Sequence, residues 1–134
     1  TIGIAQAALQ IAIDWARERT TFGSRLADKQ AVQWMIADSE MELRAARLLT
    51  WQAAWIADSG RGDLKVATSI AKVMATEAAG RVVDRAIQVM GGLGVSCELP
   101  LERWYRELRI KRIGEGPSEV HRMVLARQLL GNRR

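Results

Sequence analysis

Hydrophobic residues recur along this chain at the spacing of an α-helix. The first run, at i, i+4, i+7 and i+11, consists of Ile4, Ala8, Ile11 and Trp15. This pattern predicts an amphipathic helix over about residues 2–18. Similar patterns predict a long second helix over about 29–59 and a third helix over about 64–90.

Both longer helices have two apolar stripes. On the second helix, one stripe consists of Val32, Ile36, Leu43 and Ala46. The other stripe of that helix consists of Met41, Ala45, Leu48 and Trp55. On the third helix, two neighbouring stripes of alanine and β-branched residues indicate burial on more than one side.

The segments between these helices are short and rich in glycine. Residues 60–62 form a turn, and Asp63 is expected to be the N-cap of the third helix, which residues 91–94 end. A short helix is expected over about 98–108, and residues 114–116 form another break. Each break leaves backbone groups free to contact a ligand.

A last helix is expected from Pro117 to about Leu130, because proline suits the first position of a helix and Gly131 stops it. Long helices joined by short turns pack antiparallel. The sequence therefore predicts an all-α fold, an up-and-down four-helix bundle, in a single domain over residues 1–134.

Composition and charge narrow the choice of function. The net charge of +5 fits an anionic partner, so a non-enzymatic basic helical module that binds nucleic acid or a protein partner is one hypothesis. Basic and acidic residues are interspersed, however, and no helix-turn-helix pattern is present. No apolar run reaches the length of a membrane span. The five tryptophans and the single cysteine, Cys97, are interpreted as packing residues.

The first break, Arg19-Thr20-Thr21-Phe22-Gly23, combines a cation with an aromatic ring. An arginine can bind a pyrophosphate through two parallel hydrogen bonds, and Phe22 offers a face to a planar ring. The alternative is an ordinary turn with Phe22 buried in the core. For this pentad alone, the alternative is favoured.

The break after the third helix, Gln88-Val89-Met90-Gly91-Gly92-Leu93-Gly94, contains three glycines in four residues. Glycine lets a ligand or another chain approach the backbone, and the amide of Gln88 can both donate and accept hydrogen bonds. A helix C-cap needs only one glycine. This segment therefore favours a binding role.

The break before the last helix places Glu115 between Gly114 and Gly116. A carboxylate with this much exposed backbone could approach a substrate closely and act as a general base. A solvated loop glutamate is the alternative, and it is favoured for an isolated motif of this kind. Ser118 and Glu119 can likewise be first-turn residues that complement the helix dipole.

In order along the chain, the three segments resemble the C-terminal domain of the acyl-CoA dehydrogenase family. The matching motifs are Arg-x-x-Phe-Gly, Gln-x-x-Gly-Gly-x-Gly and the Glu-Gly before the last helix, together with Gln30 in the segment 29–33. The resemblance covers essentially the whole chain. It implies a helical bundle that follows an N-terminal helical domain and a middle β-domain in a dimeric or tetrameric flavoenzyme.

The resemblance also implies site residues. Glu115 would be the catalytic base that removes the α-proton of an acyl-CoA while hydride passes from Cβ to N5 of FAD. The substrate would lie against Glu115 and Gly116, with the backbone N–H of Glu115 on the thioester carbonyl. The residues implied to bind FAD are Arg19, Thr21, Phe22, Lys29, Gln30, Gln88, Gly91, Gly92, Ser118 and Glu119. Electrons would then leave to an electron-transferring flavoprotein.

Three further expectations follow from the resemblance. Many members have threonine where this chain has Pro117, so a hydroxyl and an N–H near the flavin are missing. The absent domains would supply most flavin and acyl contacts, so the isolated chain is expected to be inactive. The implied compartment is the cytoplasm in a bacterium, or the mitochondrial or peroxisomal matrix in a eukaryote.

Overall fold

The computed structural model describes residues 1–131, and over this range the fold is all-α, as predicted. Its helices are α1 (Ile2–Glu18), α2 (Gln30–Ser59), α3 (Leu64–Met90), α4 (Leu101–Lys111) and α5 (Ser118–Leu130). The first three match the predicted helices to within one residue. The short helix α4 lies three residues further along the chain than expected.

A small β-hairpin lies between α1 and α2. Its strands, β1 (Thr20–Thr21) and β2 (Ser24–Arg25), pair antiparallel around Phe22 and Gly23. Both turn residues have positive φ, at 49° and 79°, as in the tight turns of two-residue hairpins. The 3₁₀ turn Leu26–Asp28 then leads into α2.

The bundle is built around α3, which contacts each of the other four helices of the described chain. Small side chains make up most of the core: Ala5, Ala8, Ala12 and Ala16 on α1, and Ala79, Val82, Val83 and Ala86 on α3. Leu43, Leu101 and Leu108 fill the spaces between helices. The alanines allow the helix backbones to approach closely, while Ile4, Ile11 and Trp15 lie at the edge of this core.

The fourth position of the predicted bundle is occupied by two short helices. Contacts such as Gln6 to Arg47 and Glu42 to Arg81 show that α2 runs antiparallel to α1 and α3. Arg112, at the end of α4, and Arg122, on α5, both contact Glu77 of α3. We conclude that α4 and α5 follow one another along α3, separated by the turn that contains Gly114 and Gly116.

Two helix N-termini test the capping predictions. The predicted N-cap Asp63 is confirmed, because its Oδ1 accepts a hydrogen bond of 3.0 Å from the N–H of Val66. Pro117 was expected to be the first residue of α5, but it is the N-cap of that helix. Its φ of −64° is helical while its ψ of 157° is extended, since the proline ring restricts only φ.

The second apolar stripe of α2 is exposed. Its residues, Met41, Ala45, Leu48 and Trp55, face away from α1 and α3. Trp34 and Trp51 join this outer surface, so three of the tryptophans are 54–61% exposed, contrary to the packing interpretation. Cys97 is also exposed and is not a core residue. None of the helices described is long and apolar enough to cross a membrane.

Candidate functional site

The hairpin and the glycine segment after α3 lie next to each other. They border a cleft of about 460 Å³ between α1 and the C-terminal end of α3. Its lining includes Arg19 and Thr21 from the hairpin side, and Gly91 and Gly92 from the other side. The structure thus brings together residues from two motifs that are about seventy positions apart in the sequence.

Arg19 and Phe22 are presented to the outside of the bundle. The Arg19 guanidinium lies 5.7 Å from the centroid of the Trp15 ring, a cation–π distance, and the residue is exposed. Phe22 is 100% exposed, so the alternative interpretation of the pentad, in which Phe22 is buried in the core, is wrong. The hairpin turn directs this side chain away from every described element.

The fold requires glycine at only some of the three glycine positions after α3. Gly91 has a φ of 64°, a conformation that suits glycine. At Gly94, a Cβ atom would lie 2.8 Å from the carbonyl oxygen of Ile87. At Gly92, a Cβ atom would meet nothing within 4 Å. Folding therefore accounts for Gly91 and Gly94, whereas Gly92 has no such reason within residues 1–131.

The other predicted cofactor residues near this cleft have different environments. Lys29 is half-buried, and its Nζ donates a hydrogen bond of 2.6 Å to the Oγ of Ser24, which stabilises the hairpin. Gln30 and Gln88 are exposed at the start of α2 and near the end of α3. Their assignment as cofactor residues stays a prediction.

Glu115 lies at the other end of the bundle, in the turn between α4 and α5. Its φ is 56°, which is unusual for a residue with a side chain, and the side chain is exposed. It lines a cavity of about 610 Å³ whose wall includes apolar side chains, among them Ile2, Ala71 and Ile110, and polar ones, among them Thr76, Lys72 and Lys111. Within residues 1–131, its backbone N–H donates to no protein acceptor. A carboxylate and an unpaired N–H thus meet beside a cavity with a mixed apolar and polar lining.

Ser118 and Glu119 follow directly on α5. Ser118 is only 2% exposed and faces the carboxylate of Glu77, whereas Glu119 is exposed. Their predicted contacts with a flavin stay predictions.

Glu77 joins the three helices that meet behind this turn. The Nη2 of Arg122 donates a hydrogen bond of 2.7 Å to its Oε2, and the Nη1 lies 2.7 Å from its Oε1. Arg112 approaches the same Oε1 at 3.9 Å. The hydrogen bond and charge of Arg122, with a smaller contribution from Arg112, lower the pKa of Glu77 although burial acts in the opposite direction. Sequence patterns did not single out this residue.

The two parts of the candidate site are far apart. Met90 borders the first cleft and Lys72 borders the cavity at Glu115. Met90 is eighteen positions after Lys72 on α3, a separation of ~27 Å at a rise of 1.5 Å per residue. One chain therefore presents two separate surfaces, one with Arg19 and the glycines and one with Glu115.

Comparisons with known proteins identify the family. Residues 1–130 match the model of the acyl-CoA dehydrogenase C-terminal domain. The chain is 48% identical to (R)-benzylsuccinyl-CoA dehydrogenase of Thauera aromatica, over 96% of this chain and 32% of that protein. It is 45% identical to the human mitochondrial short-chain specific acyl-CoA dehydrogenase, over 96% of this chain and 31% of that protein.

A solved structure shows the same fold. Butyryl-CoA dehydrogenase from Megasphaera elsdenii superposes with a TM-score of 0.91 at 39% identity, over 96% of this chain and 33% of that chain. The chain thus spans about a third of the length of the proteins that it resembles.

Proposed function

The chain belongs to the acyl-CoA dehydrogenase family, and we propose that it is the C-terminal domain of an FAD-dependent enzyme that oxidises the Cα–Cβ bond of an acyl-CoA. In this reaction Glu115 removes the α-proton as the base. FAD supplies the acceptor for the hydride that leaves Cβ, and the product is the 2,3-unsaturated acyl-CoA.

The observation that carries the proposal is the Glu115 turn. Its left-handed backbone presents an exposed carboxylate and an unpaired backbone N–H to a cavity whose wall is partly apolar. The N–H can donate to the thioester carbonyl, which stabilises the negative charge that develops when the α-proton leaves. The apolar part of the wall suits an acyl chain beside the carboxylate.

The residues of the first cleft fit part of a dinucleotide cofactor. Arg19 offers a guanidinium for a pyrophosphate, and Gly92 leaves the backbone open to close approach. Phe22 offers an exposed ring for a planar group. Thr21, Lys29, Gln30, Gln88 and Gly91 are proposed to complete this surface, and Ser118 and Glu119 to lie near the flavin at the Glu115 end.

We also propose that the enzyme is a homo-oligomer, a dimer or a tetramer. The two surfaces are ~27 Å apart along α3, so they fit better to two different active sites than to one. In this arrangement, Arg19 and the glycines serve the FAD of a neighbouring subunit. The exposed stripe of α2 supports association, because Trp34, Met41, Leu48 and Trp55 recur every seven residues, as in helix–helix seams.

The remaining parts of the proposal concern partners and location. Electrons leave the reduced cofactor to an electron-transferring flavoprotein. The relatives include bacterial and mitochondrial proteins, which fits the cytoplasm of a bacterium or the matrix of a eukaryotic organelle. The nucleic-acid hypothesis is not favoured, since arginines on all five described helices pair with carboxylates of this chain.

A substitution at Glu115 tests the proposal in the complete flavoenzyme. Glu115→Gln should leave FAD bound but slow its reduction by acyl-CoA by at least ~10²-fold, because an amide cannot accept the proton. The matched control is Glu107→Gln, at an exposed glutamate of α4 that faces neither surface. Flavin bleaching by Glu115→Gln at the rate of the control would refute the assignment.

A further inference from the structure

Two side chains from different helices contact the backbone of the Glu115 turn. The Nζ of Lys72, on α3, donates a hydrogen bond to the carbonyl oxygen of Gly116. The Nε2 of His121, on α5, lies 3.4 Å from the carbonyl oxygen of Glu115. Two successive carbonyl groups of the turn are therefore bound by side chains outside it.

The surroundings of His121 determine which ring nitrogen carries the proton. A carbonyl oxygen only accepts hydrogen bonds, so Nε2 must be the N–H. In the neutral ring, Nδ1 then accepts a hydrogen bond from the hydroxyl of Ser69, whose Oγ is 3.2 Å away. Ser69 is only 4% exposed, so water has little access to compete for this contact. The chain of contacts from Ser69 through His121 to Glu115 thus connects the N-terminal part of α3 to the turn.

Gly116 allows the ring to approach this closely. Its φ is 91°, and a Cβ atom at this position would lie 3.0 Å from the Nε2 of His121. The imidazole therefore occupies the space that a side chain would need. The close contact with His121 therefore explains why the residue after Glu115 in the Gly-Glu-Gly motif is glycine.

The turn needs such support because its backbone is strained. A left-handed conformation at a residue with a side chain costs roughly 1–2 kcal/mol. Such a conformation persists where the surroundings fix it. If the anchors were lost, the turn could relax to an ordinary conformation and carry the carboxylate away from the substrate. A shift of ~1 Å in a reacting group can cost ~10²-fold in rate.

We propose that His121, oriented by Ser69, and Lys72 are positioning residues that hold the Glu115 turn in its catalytic conformation. This inference rests on the proposed function of Glu115. Neither side chain needs to touch the reacting atoms, since both act through backbone carbonyl groups of the turn.

The test measures the rate of flavin reduction in the complete enzyme after anaerobic mixing with acyl-CoA. His121→Leu removes the N–H donor and should lower the limiting reduction rate by about 10–10²-fold, with FAD content unchanged and substrate affinity within about threefold. His121→Gln, whose amide can donate to the same carbonyl, should recover most of the rate. Gln128→Leu, at an exposed position of α5, is the matched control.

Two further variants keep the test informative if His121→Leu folds poorly. Ser69→Ala retains the imidazole but loses the group that orients it, and should give a smaller loss of rate with the same substrate affinity. Lys72→Met removes the second anchor. Reduction rates equal to wild type in His121→Leu and Lys72→Met, or equal losses in the His121→Gln and His121→Leu variants, would overturn the inference.

The same measurements separate this inference from the proposed function. If Glu115→Gln is inactive while the His121 and Lys72 variants are normal, only the positioning role is wrong. If Glu115→Gln itself reduces FAD normally, the catalytic base is wrong and the positioning role with it.

Discussion

Alanine at position 94 should destabilise the chain, whereas alanine at position 92 should not. At position 94, the new Cβ would lie 2.8 Å from the carbonyl oxygen and 2.9 Å from the Cα of Ile87, and 3.0 Å from the Cβ of Met90. Two of these atoms belong to the backbone of α3 and cannot move aside by rotation. Overpacking of this kind costs about 1–3 kcal/mol. For a domain of this size, that corresponds to a fall of roughly 3–15 °C in Tm.

The control site is two residues away in the same segment. A Cβ at Gly92 meets nothing within 4 Å, so Gly92→Ala should change the free energy of unfolding by less than about 0.5 kcal/mol. It can even be slightly stabilising, because alanine restricts the unfolded chain. In the complete enzyme, by contrast, Gly92→Ala should lower the FAD content, since its open backbone is part of the proposed cofactor surface.

Thermal unfolding of the two variants, followed by circular dichroism, measures the first effect, and flavin absorbance after dialysis measures the second. The reasoning would be refuted if Gly94→Ala unfolded at the wild-type temperature, or if both variants lost the same stability. Full FAD occupancy in Gly92→Ala would contradict only the binding role of that glycine.

Three other predictions follow from the same structure. Arg19→Ala should weaken FAD binding by about tenfold to a hundredfold without unfolding the helices, because one charge-assisted contact is lost. Unchanged flavin content after dialysis would count against this prediction. Glu77→Gln should lower Tm at pH 7. Arg122 lowers the pKa of Glu77 in the folded chain, so the ionised carboxylate stabilises the fold above the ordinary carboxyl pKa. This stabilisation is lost as the pH falls through the pKa of folded Glu77. The Tm values of the variant and the wild type should therefore converge in acid. The isolated chain should be helical, colourless and inactive, and light scattering should show that it is oligomeric. Leu48→Glu should reduce the molar mass of this assembly. A monomeric parent chain would refute the role of the exposed stripe of α2.

The helices could be predicted from the sequence because their signals are local. A 3.6-residue period, a capping aspartate and clustered glycines are all readable within a few positions, and α3 was predicted to the residue. The sequence also predicted the two short helices and the break between them, but not that α4 and α5 share one position of the bundle. This arrangement depends on where both helices meet Glu77 of α3, which is a property of packing rather than of local pattern.

Long-range contacts explain what the sequence could not show at the candidate site. His121 and Ser69 are 52 residues apart, and Lys72 and Gly116 are 44 apart, so their contacts depend on how α5 aligns with α3. The alternative interpretation of the pentad, with Phe22 in the core, failed for a related reason. General burial preference favours the interior for phenylalanine, but the direction of its side chain is set by the hairpin turn.

The turn at Phe22 also has a consequence for the evolution of this chain. Phenylalanine is a poor choice for a left-handed turn position, where asparagine followed by glycine is favoured, and its whole ring is in water. A laboratory selection for heat tolerance of the isolated chain should therefore replace Phe22 early, with asparagine as the natural substitute. A selection for turnover of the assembled enzyme should retain the aromatic ring. Position 22 is thus a place where selection for robustness and selection for activity would favour different residues.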